Sequence, residues 1–266
     1  MYVDSGGYEL APIGDSAEPR PTGPGVKSFS KAMYLRVLNK LDADSTLAPL
    51  IITNSDYETR NFGLRRQAEE ARRLFERFPR HAKSFLMKPK SRRDIDPTQL
   101  PQSHLQTLRG FDVVGVTADD LGRDLLVRLA RLATLRRQLD EAGVNAPLHV
   151  WGGLDPLVTP LYFFAGADIF DGVSWLRYAF RDGCAISRAG YQVLSANVGV
   201  HTTHSLVRAT MTLENRLSLD RMAITLQQWR DGGGKSFDMF AEPVRDALAR
   251  TYAAMQTSID ELKERK

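Results

Sequence analysis

The sequence predicts an α/β fold in which parallel strands are joined by helical crossovers, either a doubly wound sheet or a barrel. Two observations carry this. Short strand-like runs alternate with segments of helical periodicity along most of the chain. Polar residues recur at the carboxyl ends of those runs, where open parallel sheets and barrels place their active sites. The length agrees: 266 residues, 42% hydrophobic and 26% charged, can bury one sizeable core.

The elements follow in order. MYVDSG reads as a strand end that runs into Asp4-Ser5-Gly6-Gly7-Tyr8, and the proline- and glycine-rich stretch 11–28 is a long loop of the kind that serves as a lid. PLIITNSD (49–56) is the second strand. Leu64, Ala68, Ala71, Phe75 and Phe78 then recur at helical spacing. SFLMKP (84–89) and FDVVGV (111–116) are strands, and Leu121, Leu125, Leu129, Leu132, Leu135 and Leu139 mark a second amphipathic helix. PLHVWGG (147–153) and ADIFDG (167–172) complete six strands. Beyond residue 200 the pattern is helical, punctuated by Gly232-Gly233-Gly234, and Phe237, Phe240, Val244, Leu248, Tyr252, Met255, Ile259 and Leu262 share one face of a terminal helix.

Composition removes several function classes. The longest apolar runs, LIIT and LYFFAGA, are too short to cross a bilayer, and no charged-then-apolar leader opens the chain, so no membrane partner and a cytoplasmic location are expected. Cys184 is the only cysteine, which rules out an intramolecular disulfide and any zinc site built on several thiolates. The net charge of +4 is unevenly placed, with twelve Lys or Arg against three Glu in residues 60–93. Such density raises the case for a phosphate-bearing partner. A solvated helix face is the plainer reading, and from charge alone it leads.

Asp4, Asp56, Lys88, Thr117, the Gly152-Gly153 pair and Asp171 stand at the carboxyl ends of the six runs. Each also has a structural explanation. Asp171 can cap the following helix, Asp56 can hold a turn, and the glycines can permit tight turning.

DSGGY (4–8), GFDVVGV (110–116) and HVWGGLDPLVTPLYFFAGADIFDGVSWLRYA (149–179) resemble the guanine transglycosylase superfamily, whose members exchange guanine for a 7-deazaguanine in nucleic acid. The resemblance implies a TIM-type (β/α) barrel entered at its third strand, hence apparently incomplete at the N-terminus. It places the catalytic barrel over residues 1–200 and a helical segment over 201–266. By family match, Asp171 is the nucleophile and Asp4 the general acid/base. Tyr8 stacks on the base and Asp56 recognises its edge, or Asn54 does if the register is displaced. Lys88, Gly115, Val116, Thr117, Gly152 and Gly153 complete the base pocket, and Ser5, Gly6, Arg177 and Arg181 meet the nucleic acid.

The family's tRNA enzymes carry a zinc site of three cysteines and a histidine. This chain has no cysteines there, and His201 and His204 read as surface or helix-cap residues, so neither metal nor cofactor is expected. Lys88-Pro89 also replaces a usual Gln-Gly, and Glu9 replaces a Gln. These departures favour the relatives that place a 7-cyano-7-deazaguanine-type (preQ0-like) base in DNA, with tRNA as the alternative substrate. A non-catalytic nucleic-acid-binding homologue and an unrelated barrel enzyme that takes a phosphorylated metabolite at Gly152-Gly153 are the competing classes. A homodimer or a helper protein is the partner the resemblance suggests. A barrel lacking two strands leaves exposed edges, to be covered by upstream residues, by another chain, or by segment 185–200. The catalytic reading requires Asp4 and Asp171 to face each other across one pocket.

Overall fold

The computed structural model describes residues 2–4, 30–55, 62–90, 94–195 and 200–264. Ser5, Gly6, Tyr8, Asp56 and the stretch 11–28 lie outside the described residues. Each of the six expected runs overlaps a strand: β1 (Tyr2–Val3), β2 (Ile51–Thr53), β3 (Ala82–Leu86), which starts two residues earlier than expected, β4 (Val113–Thr117), β5 (Leu148–Trp151) and β6 (Ile169–Phe170). Strand order is chain order, and the described pairs are parallel, with Tyr2 opposite Ile51, Ile51 opposite Ala82, Ser84 opposite Val113 and His149 opposite Ile169. Parallel strands need long crossovers, which the helices between them supply. The fold is therefore mixed α/β with helices at its C-terminal end. It divides into two compact units, Met1–Asp120 with Gln138–Pro147, and Leu121–Arg137 with Leu148–Lys266.

In the first unit, α1 (Lys31–Ala43) starts where the Ser30 side chain accepts the Met33 N–H, and it buries Tyr34 and Leu38. Only these two positions carry its apolar face, too short a signal to stand out in the sequence. Helix α2 (Leu64–Phe75) follows the predicted periodicity: Leu64, Ala68, Ala71 and Phe75 are buried, as is Phe78 just beyond. Against this face Phe111 stacks on Phe85 with ring centroids 4.9 Å apart and meets Phe75 edge-on at 5.9 Å. A short helix, α3 (Gln102–Leu105), leads towards β4. Helix α4 (Leu125–Glu141) begins in the second unit and contributes its last residues to the first.

The second unit continues through α5 (Val158–Phe164), β6 and α6 (Ser174–Arg177). Parallel alternation then stops. β7 (Ala179–Arg181) and β8 (Cys184–Ile186) form an antiparallel hairpin of their own, turned by Asp182 at φ 50° and Gly183 at φ 80°. Residues 188–194 form α7 (Arg188–Leu194). Among its described residues, segment 185–200 contributes to β8 and forms α7, and adds no strand to the parallel sheet. Two long helices follow, α8 (His204–Asp231) and α9 (Glu242–Glu264). Phe164 of α5 sits at the centre of an aromatic cluster, 4.2 Å from Trp229, 5.6 Å from Phe237 and Tyr252, and 5.7 Å from Phe240. The C-terminal aromatic stripe thereby finds its counterpart within its own unit. No described helix is long and apolar enough to cross a membrane.

His81 ties α1 to the sheet. Its buried ring accepts the Leu50 N–H at Nδ1 (3.2 Å) and faces the Asp42 carboxylate across 3.4 Å with Nε2. Burial pushes its pKa below the ordinary 6.5 despite the pull of Asp42. The unfolded chain therefore binds a proton here before the folded one does, and stability is complete above that value and lost as pH falls below it. We expect the urea midpoint to fall between about pH 7 and about pH 5. His81→Asn keeps an acceptor for Leu50 without titrating, and urea titrations of that variant should show a visibly flatter pH dependence over the same window.

Candidate active site

In the second unit, strand alternation decides which candidate residues share a face. Side chains two apart share a face, and neighbours in parallel register share it too. His149 lies opposite Ile169, so Trp151 and Asp171, each two residues further on, point to that same face. The Gly152 N–H donates to Asp171 Oδ1 at 2.7 Å, and the Asp171 carbonyl accepts the Leu154 N–H at 2.9 Å. His149 Nε2 stands 3.6 Å from the same Oδ1. The Asp171 side chain is 45% exposed, and its Oδ2 has no partner among the described residues. It does not cap the following helix: α6 begins at Ser174, where no side chain serves as cap.

The turn that supplies the Gly152 N–H is fixed by its glycines and by its hydroxyl and carboxylate bonds. Gly152 has φ +72°, a left-handed conformation unfavourable to other residues. A Cβ on Gly153 would come within 2.8 Å of Val150 and 3.3 Å of Tyr162. Thr159 donates its hydroxyl to the Gly153 carbonyl and accepts the Asp155 N–H, both at 2.8 Å, while the Asp155 carboxylate accepts the Leu157 and Val158 N–H groups at the start of α5. Asp168, the first acidic residue of the DIFD motif, binds the Leu148 N–H at 2.9 Å and so aligns the start of β5.

In the first unit, Asp4 directly follows β1 and is exposed. Asn54, Lys88 and Thr117 reach the carboxyl ends of β2, β3 and β4, and each has a bond within the fold. The buried Asn54 amide accepts the Leu86 N–H at 2.6 Å and donates to the Leu86 carbonyl at 3.2 Å. Gln67, also buried, treats Lys88 in the same way, accepting its N–H at 3.0 Å and donating to its carbonyl at 2.8 Å. The Lys88 ammonium is 2.9 Å from the Asp120 carboxylate, and the Thr117 hydroxyl accepts the Asp120 N–H. Gly115 and Val116 are buried within β4. Asp4 belongs to the first unit and Asp171 to the second.

Part of the basic stretch is bonded within the fold and part forms surface pairs. Arg65 pairs with Glu69 and Arg73 with Glu70. Arg72 donates to the Thr107 carbonyl, and Arg80 donates to the carbonyls of Asp42, Asp44 and Leu47 at the end of α1. Arg66 lies over the Phe62 ring at 3.8 Å and remains exposed. Arg181 bonds the Leu194 carbonyl at 2.7 Å, whereas Arg177 is exposed at the end of α6. His201 and His204 are both exposed, as expected of surface residues.

The residue that sequence reasoning missed is His149. It sits two positions before Trp151 in the run HVWG, and alternation puts it on the face of Asp171 once the β5–β6 register is known. A scan against protein-family models and a search of curated proteins return no match to this chain.

The segment that carries Arg177 depends on Asn215 of α8. Fully buried, Asn215 donates to the Trp175 and Tyr178 carbonyls at 2.6 and 2.7 Å and accepts the Phe180 N–H at 2.6 Å. Asn215→Ala strips partners from three backbone groups and should cost about 2–4 kcal/mol in urea unfolding, with little change at the Asp171 turn. A loss under about 0.5 kcal/mol would show that the segment is held by other contacts.

Proposed function

We propose that the chain is a nucleic-acid guanine transglycosylase that exchanges guanine for a 7-deazaguanine base in DNA, on a (β/α) barrel and through a covalent Asp171 intermediate. The observation that carries the reading is the Asp171 carboxylate. One oxygen is held by the Gly152 N–H, the other is open among the described residues, and both stand at the carboxyl end of a parallel strand in the motif that resembles the family's nucleophile. Cleaving an N-glycosidic bond builds positive charge on the sugar, which a fixed carboxylate stabilises and then captures.

In the first step the C1′–N9 bond of the target guanosine breaks, Oδ2 bonds to C1′, and guanine leaves with a proton delivered by Asp4. In the second, N9 of the incoming 7-deazaguanine attacks C1′ and gives its proton to Asp4, and the Asp171 carboxylate is released. The target base has to leave its stack to be reached. The exposed Arg177 suits a nearby phosphate. Absence of the cysteines of the tRNA enzymes' zinc site supports DNA over tRNA.

Intact-mass spectrometry tests the chemistry. Wild-type protein incubated with a guanine-containing single-stranded DNA should gain the mass of the oligonucleotide less guanine. Asp171→Asn should gain none, and Asp4→Asn should slow the gain by about 10²-fold or more. Nucleoside analysis of DNA and tRNA from cells with and without the gene then names the substrate pool. Binding without an adduct or exchange in either nucleic acid would identify a binding homologue and end the enzymatic reading.

A further inference from the structure

We infer that His149 is a positioning residue for the Asp171 carboxylate, holding its plane so that Oδ2 is presented to the sugar; this rests on the transglycosylase reading above. The Gly152 N–H alone leaves the carboxylate free to hinge about that single bond. A second contact on the same oxygen from another direction removes the hinge. His149 provides it, because its Nε2 lies 3.6 Å from Oδ1, the atom that Gly152 already binds at 2.7 Å. Contacts of this kind are long before substrate arrives and tighten in the reacting complex. An N–H at Nε2 would then also favour departure of the carboxylate in the second step, when Asp171 regains its charge.

The imidazole is itself held for this task. It is only 1% exposed, and its ring stacks on Trp151 with centroids 4.2 Å apart and planes 27° from parallel. Turning the ring away from Asp171 would break that stack. At this buried strand position the ring nitrogen Nε2 faces a half-exposed carboxylate. The placement follows from the β5–β6 register and from local strand geometry, all within the second unit.

Single-turnover adduct formation with a guanine-containing single-stranded DNA, measured beside oligonucleotide affinity, tests the role. His149→Phe keeps a ring against Trp151 but removes the nitrogen, and should slow adduct formation about tenfold or more while Kd changes less than about twofold. His149→Gln, whose amide nitrogen reaches the position of Nε2, should stay within about threefold of wild type, while the shorter Asn should be as slow as Phe. If the Phe variant loses its folded circular dichroism spectrum, the comparison of Gln with Asn decides. Phe or Asn variants that form the adduct at the wild-type rate overturn this inference and leave the transglycosylase reading intact. A wild-type chain that forms no adduct overturns both.

Discussion

The fold depends on pairing buried backbone groups where the strand ladders end. A buried N–H or C=O without a partner costs about as much as a lost hydrogen bond, and the strands here are only two to five residues long. Three buried carboxamides meet the need. Asn54 bonds both backbone groups of Leu86, Gln67 bonds both of Lys88, and Asn215 bonds three groups between Trp175 and Phe180. Each amide presents a donor and an acceptor side by side, as a neighbouring strand would. They therefore carry the bonding pattern past the point where β2 stops and into the turn that follows α6.

Arginine does similar work at chain ends and turns. Arg80 gathers the carbonyls beyond α1, Arg109 bonds the Ala142 carbonyl, and Arg128 and Arg131 bond those of Gly122 and Leu121. A positively charged composition thus becomes internal scaffolding. That is why local charge in residues 60–93 is a weak guide to what the surface meets. Where a basic side chain is exposed, as at Arg177, its position beside the Asp171 motif in the chain gives it weight.

Strand positions were legible because short apolar runs bounded by Gly, Pro and Asp have few alternatives, and each of the six runs overlaps a strand. The helix over 64–75 was legible from four apolar positions on one face, continued by Phe78 just beyond it. Helix α1 was not, since only Tyr34 and Leu38 are buried along it. The β7–β8 hairpin escaped because its turn, Asp182-Gly183, lies between strands of three residues each. At the site, motif similarity singled out Asp171, and the structure adds its bond to Gly152. His149 needed the register between two strands, which no single run contains. Asn54 shows the opposite limit: a polar residue at a strand end reads as a binding group, yet its amide is bonded on both sides to Leu86.

A clamp built from an amide is sensitive to one atom. Asn and Gln are among the thermolabile side chains, because loss of ammonia converts the amide to a carboxylate. At Asn54 that change would replace the nitrogen now bonded to the Leu86 carbonyl by an oxygen, setting acceptor against acceptor and bringing a charge into a site that is 1% exposed. Hydrolysis of this one amide would therefore turn a clamp on Leu86 into a clash with its carbonyl.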